Sequence, residues 1–224
     1  MPLQTAVVIG ATGLIGGHVV EELLADKNFS EVVVLVRKEL PLRHPKLTTK
    51  IVDFNNLADY KNKLGGGDVI FSCIGTTQKK VDGDKDVYRK IDFDIPVTAA
   101  KLARQAGFTV FLLVSAVGAN AKSNNFYIRL KGEVDEAVSS CGLNSVHIFR
   151  PSQLLGKRNE YRFVERIAQV VMKGVSFILI RSLRKFRPIQ GRDVAKAMVA
   201  AAKAAQPGDH VYEYDRMIEL AGGQ

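Results

Sequence analysis

Val7-Val-Ile-Gly10-Ala-Thr-Gly13-Leu-Ile-Gly16 is the stretch that decides the fold. An apolar, β-branched run stops at a glycine cluster, and an apolar-periodic segment then runs on to Ala25. That order predicts a strand, a tight turn and a helix. The turn exposes backbone N–H groups at a helix N-terminus, a natural seat for a pyrophosphate. Gly10 permits the sharp turn, Gly13 lets the backbone approach phosphates, and Gly16 lets the helix pack close to the strand. Gly10, Thr12, Gly13, Leu14, Ile15 and Gly16 are the candidate phosphate-binding residues. The spacing is GxxGxxG, and its place at the first strand–helix junction gives it weight.

Downstream, strand and helix signals alternate as a doubly wound parallel sheet requires. Strands are expected at Thr5–Gly10, Glu31–Val36, Lys50–Asp53, Val69–Cys73, Thr109–Ser115, Ser145–Arg150 and His210–Tyr214. Helices are expected at Leu14–Ala25, Asp94–Ala106, Phe126–Ser140, Arg162–Met172 and Gln190–Ala205. The strands read as continuous apolar runs, which suits a sheet covered on both faces. The 224 residues fit one such domain, 1–224, with no linker that would separate a second.

Composition narrows the function classes. No apolar run reaches bilayer length, and Met1-Pro-Leu-Gln leads straight into the first strand, so neither a membrane span nor a leader is expected. Cys73 and Cys141 give no disulfide framework, which points to the cytoplasm; Cys73 reads as a small buried hydrophobe. His18, His44, His147 and His210 are scattered, so no metal site is expected. Asp82-Gly-Asp-Lys-Asp86 has a superficial likeness to a calcium loop but lacks the later glutamate and reads as a solvated turn. The net charge of +9 is uneven: residues 157–192 hold ten Lys or Arg against Glu160 and Glu165, leaving the rest near neutral. Such a segment suits an anionic or amphiphilic substrate, a protein partner or a membrane surface. Nucleic acid is disfavoured, since no nucleic-acid motif accompanies the charge.

The second strand ends in Val36-Arg37-Lys38, where the adenosine ribose of a dinucleotide would lie. Cations there suit the 2′-phosphate of NADP(H) over the bare ribose of NAD(H). Asp53 is placed to accept from the adenine amino group, with Phe54 beside it.

Ser115 ends the fifth strand, on the ligand-binding edge of an open sheet. Tyr127 and Lys131 follow four apart, on one helical face. An ammonium beside the phenol, with the positive charge of an oxidised nicotinamide, would lower the phenol pKa from its usual value of about 10. Tyr127 then acts as acid and base, Ser115 holds the substrate oxygen and Lys131 binds the nicotinamide ribose.

These residues together resemble the short-chain dehydrogenase/reductase superfamily, and within it the compact, atypical Tat-interacting oxidoreductase-like group and its bacterial relatives. The supporting segments are Gly10–Gly16, Cys73-Ile-Gly-Thr-Thr77, Tyr127-Ile-Arg-Leu-Lys-Gly-Glu133, Arg150-Pro151, Leu154-Leu-Gly156 and Gly191-Arg-Asp-Val-Ala195. The resemblance implies a Rossmann-like α/β/α fold with a small substrate lid over about 152–189, NADP(H) binding, and the Ser115, Tyr127, Lys131 triad. It also implies that Gly75 and Thr76 line the cofactor and that Arg150, Pro151 and Ser152 pass its nicotinamide. The helical asparagine of typical members has no evident counterpart, and Cys73-Ile-Gly-Thr76 replaces their Asn-Asn-Ala-Gly. A carbonyl reductase is therefore expected, with a cofactor-binding regulator as the alternative. Helices Asp94–Ala106 and Phe126–Ser140 form the dimer face of typical members, so monomer and homodimer both remain open.

Overall fold

The computed structural model describes residues 4–156 and 184–223. The expected helix Arg162–Met172, much of the lid and most of the basic segment lie outside the described residues. Seven parallel strands form one sheet: β1 (Gln4–Ile9), β2 (Phe29–Val36), β3 (Leu47–Ile51), β4 (Val69–Ser72), β5 (Val110–Val114), β6 (Ser145–Phe149) and β9 (Gly208–Tyr212). Their order is β3-β2-β1-β4-β5-β6-β9, with β1 between β2 and β4. The winding reverses there, so the crevice beyond the ends of β1 and β4 is the place where such sheets bind ligands.

Alternation along the strands splits the core in two. Ala6, Val8, Val32, Val34, Phe71 and Leu112 face α1 (Leu14–Ala25) and α6 (Gly191–Ala204). Val7, Ile9, Val33, Leu35, Ile70 and Phe111 face α2 (Leu57–Leu64), α4 (Ile95–Gln105) and α5 (Phe126–Ser139). Each such apolar side chain contributes about 1.5–3 kcal/mol by leaving water. The three layers of the expected Rossmann-like fold are therefore present. In α1, Ile15, Val19, Val20 and Leu23 supply the buried stripe, and the chain turns extended at Asp26 to end it.

Several boundaries differ from expectation. β3 lies three residues earlier than Lys50–Asp53, because β2 pairs from Val32↔Leu47 to Val36↔Ile51 and Asp53 then turns away. Helix α2 was not anticipated; Asn56 caps it by accepting the Asp59 N–H at 3.1 Å. The last strand ends at Tyr212, and Tyr214 opens α7 (Tyr214–Leu220), anchored by buried Met217. The Asp82–Asp86 turn is a helix start: Asp84 caps α3 (Lys85–Arg89) by accepting from the Asp86 and Val87 N–H groups. The helix expected from Asp94 continues backwards through a π-helical turn, Lys90–Asp94, into α3. Pro96 explains the turn: it has no N–H for the Asp92 carbonyl, and the Ile95 N–H bonds back to Lys90 O instead.

Two short strands, β7 (Leu154–Leu155) and β8 (Ile189–Gln190), pair in parallel. They flank the basic segment and bring its two ends side by side. Part of that segment's charge is locally compensated: Arg184 pairs with Asp215 at 2.9 Å, Lys185 with Glu213 at 3.7 Å and Arg192 with Glu22 at 3.4 Å.

Candidate dinucleotide and catalytic site

The turn between β1 and α1 is closed to larger residues. Gly10 has φ +84°, and a β-carbon there would lie 2.7 Å from the Cys73 and Ile74 backbone. A β-carbon on Gly16 would lie 2.2 Å from Gly10 O, so α1 meets the turn backbone to backbone. Gly13 is the N-cap of α1 and has no side chain to satisfy the first-turn N–H groups; no acidic residue sits in that turn. Thr12 is exposed at its tip. Leu14 lies between two glycines, since a β-carbon on either Gly156 or Gly191 would come within 2.7 Å of its side chain. Ile15 faces the core. An uncapped N-terminus beside a backbone-only turn fits a phosphate group.

At the end of β2, Arg37 and Lys38 are exposed and enter no ion pair among the described residues. Asp53 Oδ1 accepts from both the backbone and side-chain N–H of Asn55, at 2.9 and 3.2 Å. Phe54 packs edge-on against Tyr60 at 4.9 Å and belongs to the margin of the core.

The other half of the site is built on α5, which Asn125 caps by accepting the Ile128 N–H at 3.1 Å. Tyr127, Lys131 and Asp135 fall at i, i+4 and i+8, one stripe along the helix. The Tyr127 ring meets Tyr88 edge-on at 6.4 Å, and the residue keeps 36% of its exposure. Lys131 is buried, its Nζ 2.8 Å from Asp92 Oδ2. Asp135 Oδ2 pairs with Arg150, at 3.0 Å from Nε and 2.9 Å from Nη2. Ser115, just past β5, is buried, and among the described residues neither its Oγ nor Asp135 Oδ1 makes a hydrogen bond of ordinary length.

These surroundings set the protonation states. Burial works against the charge on Lys131, but Asp92, Tyr127 and Asp135 outweigh it and raise its pKa. Burial raises Asp135, while Ser115, Arg150 and Lys131 oppose the shift. The Tyr127 phenol is raised: burial dominates, Lys131 lowers it, and Asp92 raises it further. Burial thus outweighs Lys131, whose own charge is shared with a carboxylate; the lowered phenol expected from the sequence also counted the positive charge of an oxidised nicotinamide.

The loop after β4 approaches the same stripe. Thr76 N–H donates to Asp92 Oδ1 at 2.7 Å, and Tyr88 donates its hydroxyl to Thr76 O at 3.1 Å. Gly75 is exposed beside them. After β6, Arg150 is turned onto Asp135, and Pro151 O accepts the Val117 N–H at 2.9 Å. Ser152 donates its hydroxyl to Arg187 O. The Arg150 and Ser152 side chains are thus engaged within the protein rather than held out for a carboxamide. Asp92 and Asp135 were missed from the sequence. The stripe from Tyr127 was a signal for Asp135; Asp92 gave none.

A family model described as NAD(P)H-binding matches residues 10–205, and the chain belongs to that family. Among curated proteins, it is 30% identical over 220 residues to Protein FMP52, mitochondrial, of Candida albicans (96% of this chain, 93% of the relative). It is 33% identical over 172 residues to Protein HTATIP2 of Rattus norvegicus (75% and 70%). Among solved structures, DesIV, a dTDP-glucose 4,6-dehydratase from Streptomyces venezuelae with NAD and TYD bound, superposes with a TM-score of 0.72. It is 16% identical and covers 98% of this chain and 82% of its own. WbmH of Bordetella bronchiseptica, in complex with NAD+, gives 0.68 at 16% identity, covering 94% and 76%. These likenesses bear out the expected fold and the resemblance. The cytoplasmic expectation does not stand: the FMP52 relatives from Candida albicans, Coccidioides immitis and Eremothecium gossypii are all named mitochondrial. Among the described residues, no helix is long and apolar enough to cross a membrane.

Proposed function

We propose that this chain is an NADP(H)-dependent reductase of small carbonyl compounds. The observation that carries the reading is the Tyr127, Lys131, Asp135 stripe with the buried Ser115 hydroxyl near its inner end, which makes no hydrogen bond of ordinary length among the described residues. A buried hydroxyl without a partner is costly unless a ligand completes it. Gly10, Thr12, Gly13, Leu14, Ile15 and Gly16 form the phosphate cradle, and Arg37 and Lys38 hold the 2′-phosphate. Asp53 lies on the adenine side with one carboxylate oxygen already used, and Phe54 supports it from below. Gly75, Thr76, Pro151 and Ser152 border the nicotinamide through backbone and ring surfaces. When bound, the reduced cofactor supplies a hydride. Ser115 orients the substrate oxygen, Tyr127 gives it a proton, and Lys131 fixes the ribose and the phenol. Residues 152–189 act as the substrate lid on the single domain, anchored by the β7–β8 pair.

The test is loss of nicotinamide absorbance from NADPH against aldehydes, ketones and quinones, with Tyr127→Phe alongside. Oxidation by one class, reduced in the variant by about 100-fold or more, supports the reductase. Firm NADPH binding with no oxidation across the panel replaces it with a cofactor-loaded regulator.

A further inference from the structure

Asp92 occupies the middle of the π-helical turn, and its side chain is 1% exposed. Both carboxylate oxygens are used. Oδ1 accepts the Thr76 N–H at 2.7 Å, and Oδ2 lies 2.8 Å from Lys131 Nζ. A turn forced by Pro96 thus joins the loop after β4 to the helix that carries Tyr127. Breaking such a pair by removing one partner leaves the other charge buried and uncompensated, so the arrangement is held firmly.

Among the described residues, the groups facing Tyr127 are Lys131 on its own helix, Asp92 from the π-helical turn and Tyr88 from α3. Asp135 reaches Lys131 from the following turn. Burial is the largest influence and raises the phenol; the ammonium favours a phenolate, and the carboxylate beside it offsets part of that help.

We propose that Asp92 is a positioning residue that ties Thr76 to Lys131 and neutralises the ammonium, so that Tyr127 stays a phenol and the site gives a proton more readily than it takes one. This rests on reading Tyr127 as the acid. In the reductive direction the phenol O–H bond breaks as the substrate oxygen gains the proton, the reduced nicotinamide provides the hydride, and the phenolate recovers its proton from water. In the oxidative direction the phenolate must exist beforehand, which Asp92 opposes. The fold is therefore set toward reduction, and oxidation needs alkaline conditions.

The experiment is an ultraviolet titration of tyrosinate in the full chain, with Tyr127→Phe subtracted to isolate one of six tyrosines. Asp92→Asn is expected to lower the Tyr127 midpoint by about one pH unit. The acidic limb of alcohol oxidation by NADP+ should move with it, and Asp92→Glu, which keeps the charge, should restore the original midpoint. A folded Asp92→Asn whose Tyr127 midpoint does not move overturns the proposal, as does an Asp92→Glu midpoint matching that of Asp92→Asn. If Asp92→Asn does not fold, Asp92→Ser, whose hydroxyl still accepts from Thr76, is read by the same criterion. The titration needs neither cofactor nor substrate. Full turnover by Tyr127→Phe would therefore remove the acid assignment without touching the shift, and the two failures are separable.

Discussion

Ser115 and Asp135 are neighbours at the inner end of the α5 stripe: both are buried, Ser115 Oγ and Asp135 Oδ1 make no hydrogen bond of ordinary length among the described residues, and yet the hydroxyl is near enough to hold the carboxylate's pKa down. Removing this hydroxyl sacrifices only its long contact to Asp135 and no hydrogen bond of ordinary length among the described residues. Ser115→Ala is therefore expected to keep its unfolding free energy within about 1 kcal/mol of wild type. Turnover should fall by about 100-fold while NADPH affinity holds. Denaturant melts, cofactor titration and kcat measured together check this; a large loss of stability would mean the hydroxyl is structural.

Arg150 behaves differently. It is the counter-ion of Asp135, which is 3% exposed. Arg150→Met leaves that carboxylate unpaired and is expected to cost about 3 kcal/mol. The loss should be larger at pH 8 than at pH 5, where protonation relieves the stranded charge. Thermal melts at the two pH values give the comparison, and NADPH affinity of the folded fraction should hardly change.

The 2′-phosphate contact proposed for Arg37 and Lys38 has a direct test in cofactor choice. Arg37→Ala is expected to weaken NADPH by about tenfold or more, the cost of a charge-assisted contact to phosphate. NADH binding should stay the same. Fluorescence titrations with both cofactors measure the ratio, which should narrow further in Arg37→Ala/Lys38→Ala.

His147 governs stability toward acid. Its ring lies between Ser145 Oγ at 2.8 Å and Tyr212 Oη at 2.7 Å, stacked on His210 at 5.1 Å. Burial lowers its pKa from 6.5 to about 4, with His210 adding to the effect. The unfolded chain therefore binds the proton first. The contribution is fully present above pH 6.5 and is lost as pH falls toward 4, amounting to about 3 kcal/mol. His147→Asn should start less stable and show a shallower slope between those limits, as urea melts across the range would record.

The start of this fold could be read directly because neighbouring residues decide it. Gly10, Gly13 and Gly16 act within one turn of each other, and the α1 limits follow from their periodicity. Tyr127 and Lys131 were readable for the same reason, being one helical turn apart. Asp92 was not, since its partner is 39 positions away and its approach depends on a π-helical turn. The helix expected to begin at Asp94 instead runs on from Lys85 through that turn. The resemblance places Arg150 in the loop passing the nicotinamide; its pairing with Asp135, fifteen positions away, is visible only in the packing. The weight of burial on the Tyr127 phenol, like the Asp92 counter-ion of Lys131, depends on packing that the spacing of Tyr127 and Lys131 does not carry.

The two glycines around Leu14 have a mechanical meaning. Gly156 closes β7 and Gly191 follows β8, so each marks one end of the basic segment, and both press on the first residue of α1. A close-packed joint of this kind has no slack to absorb displacement. Any rearrangement that parts β7 from β8 must be felt at the helix end that would carry the pyrophosphate, so the small two-stranded sheet and the glycine turn are mechanically one part.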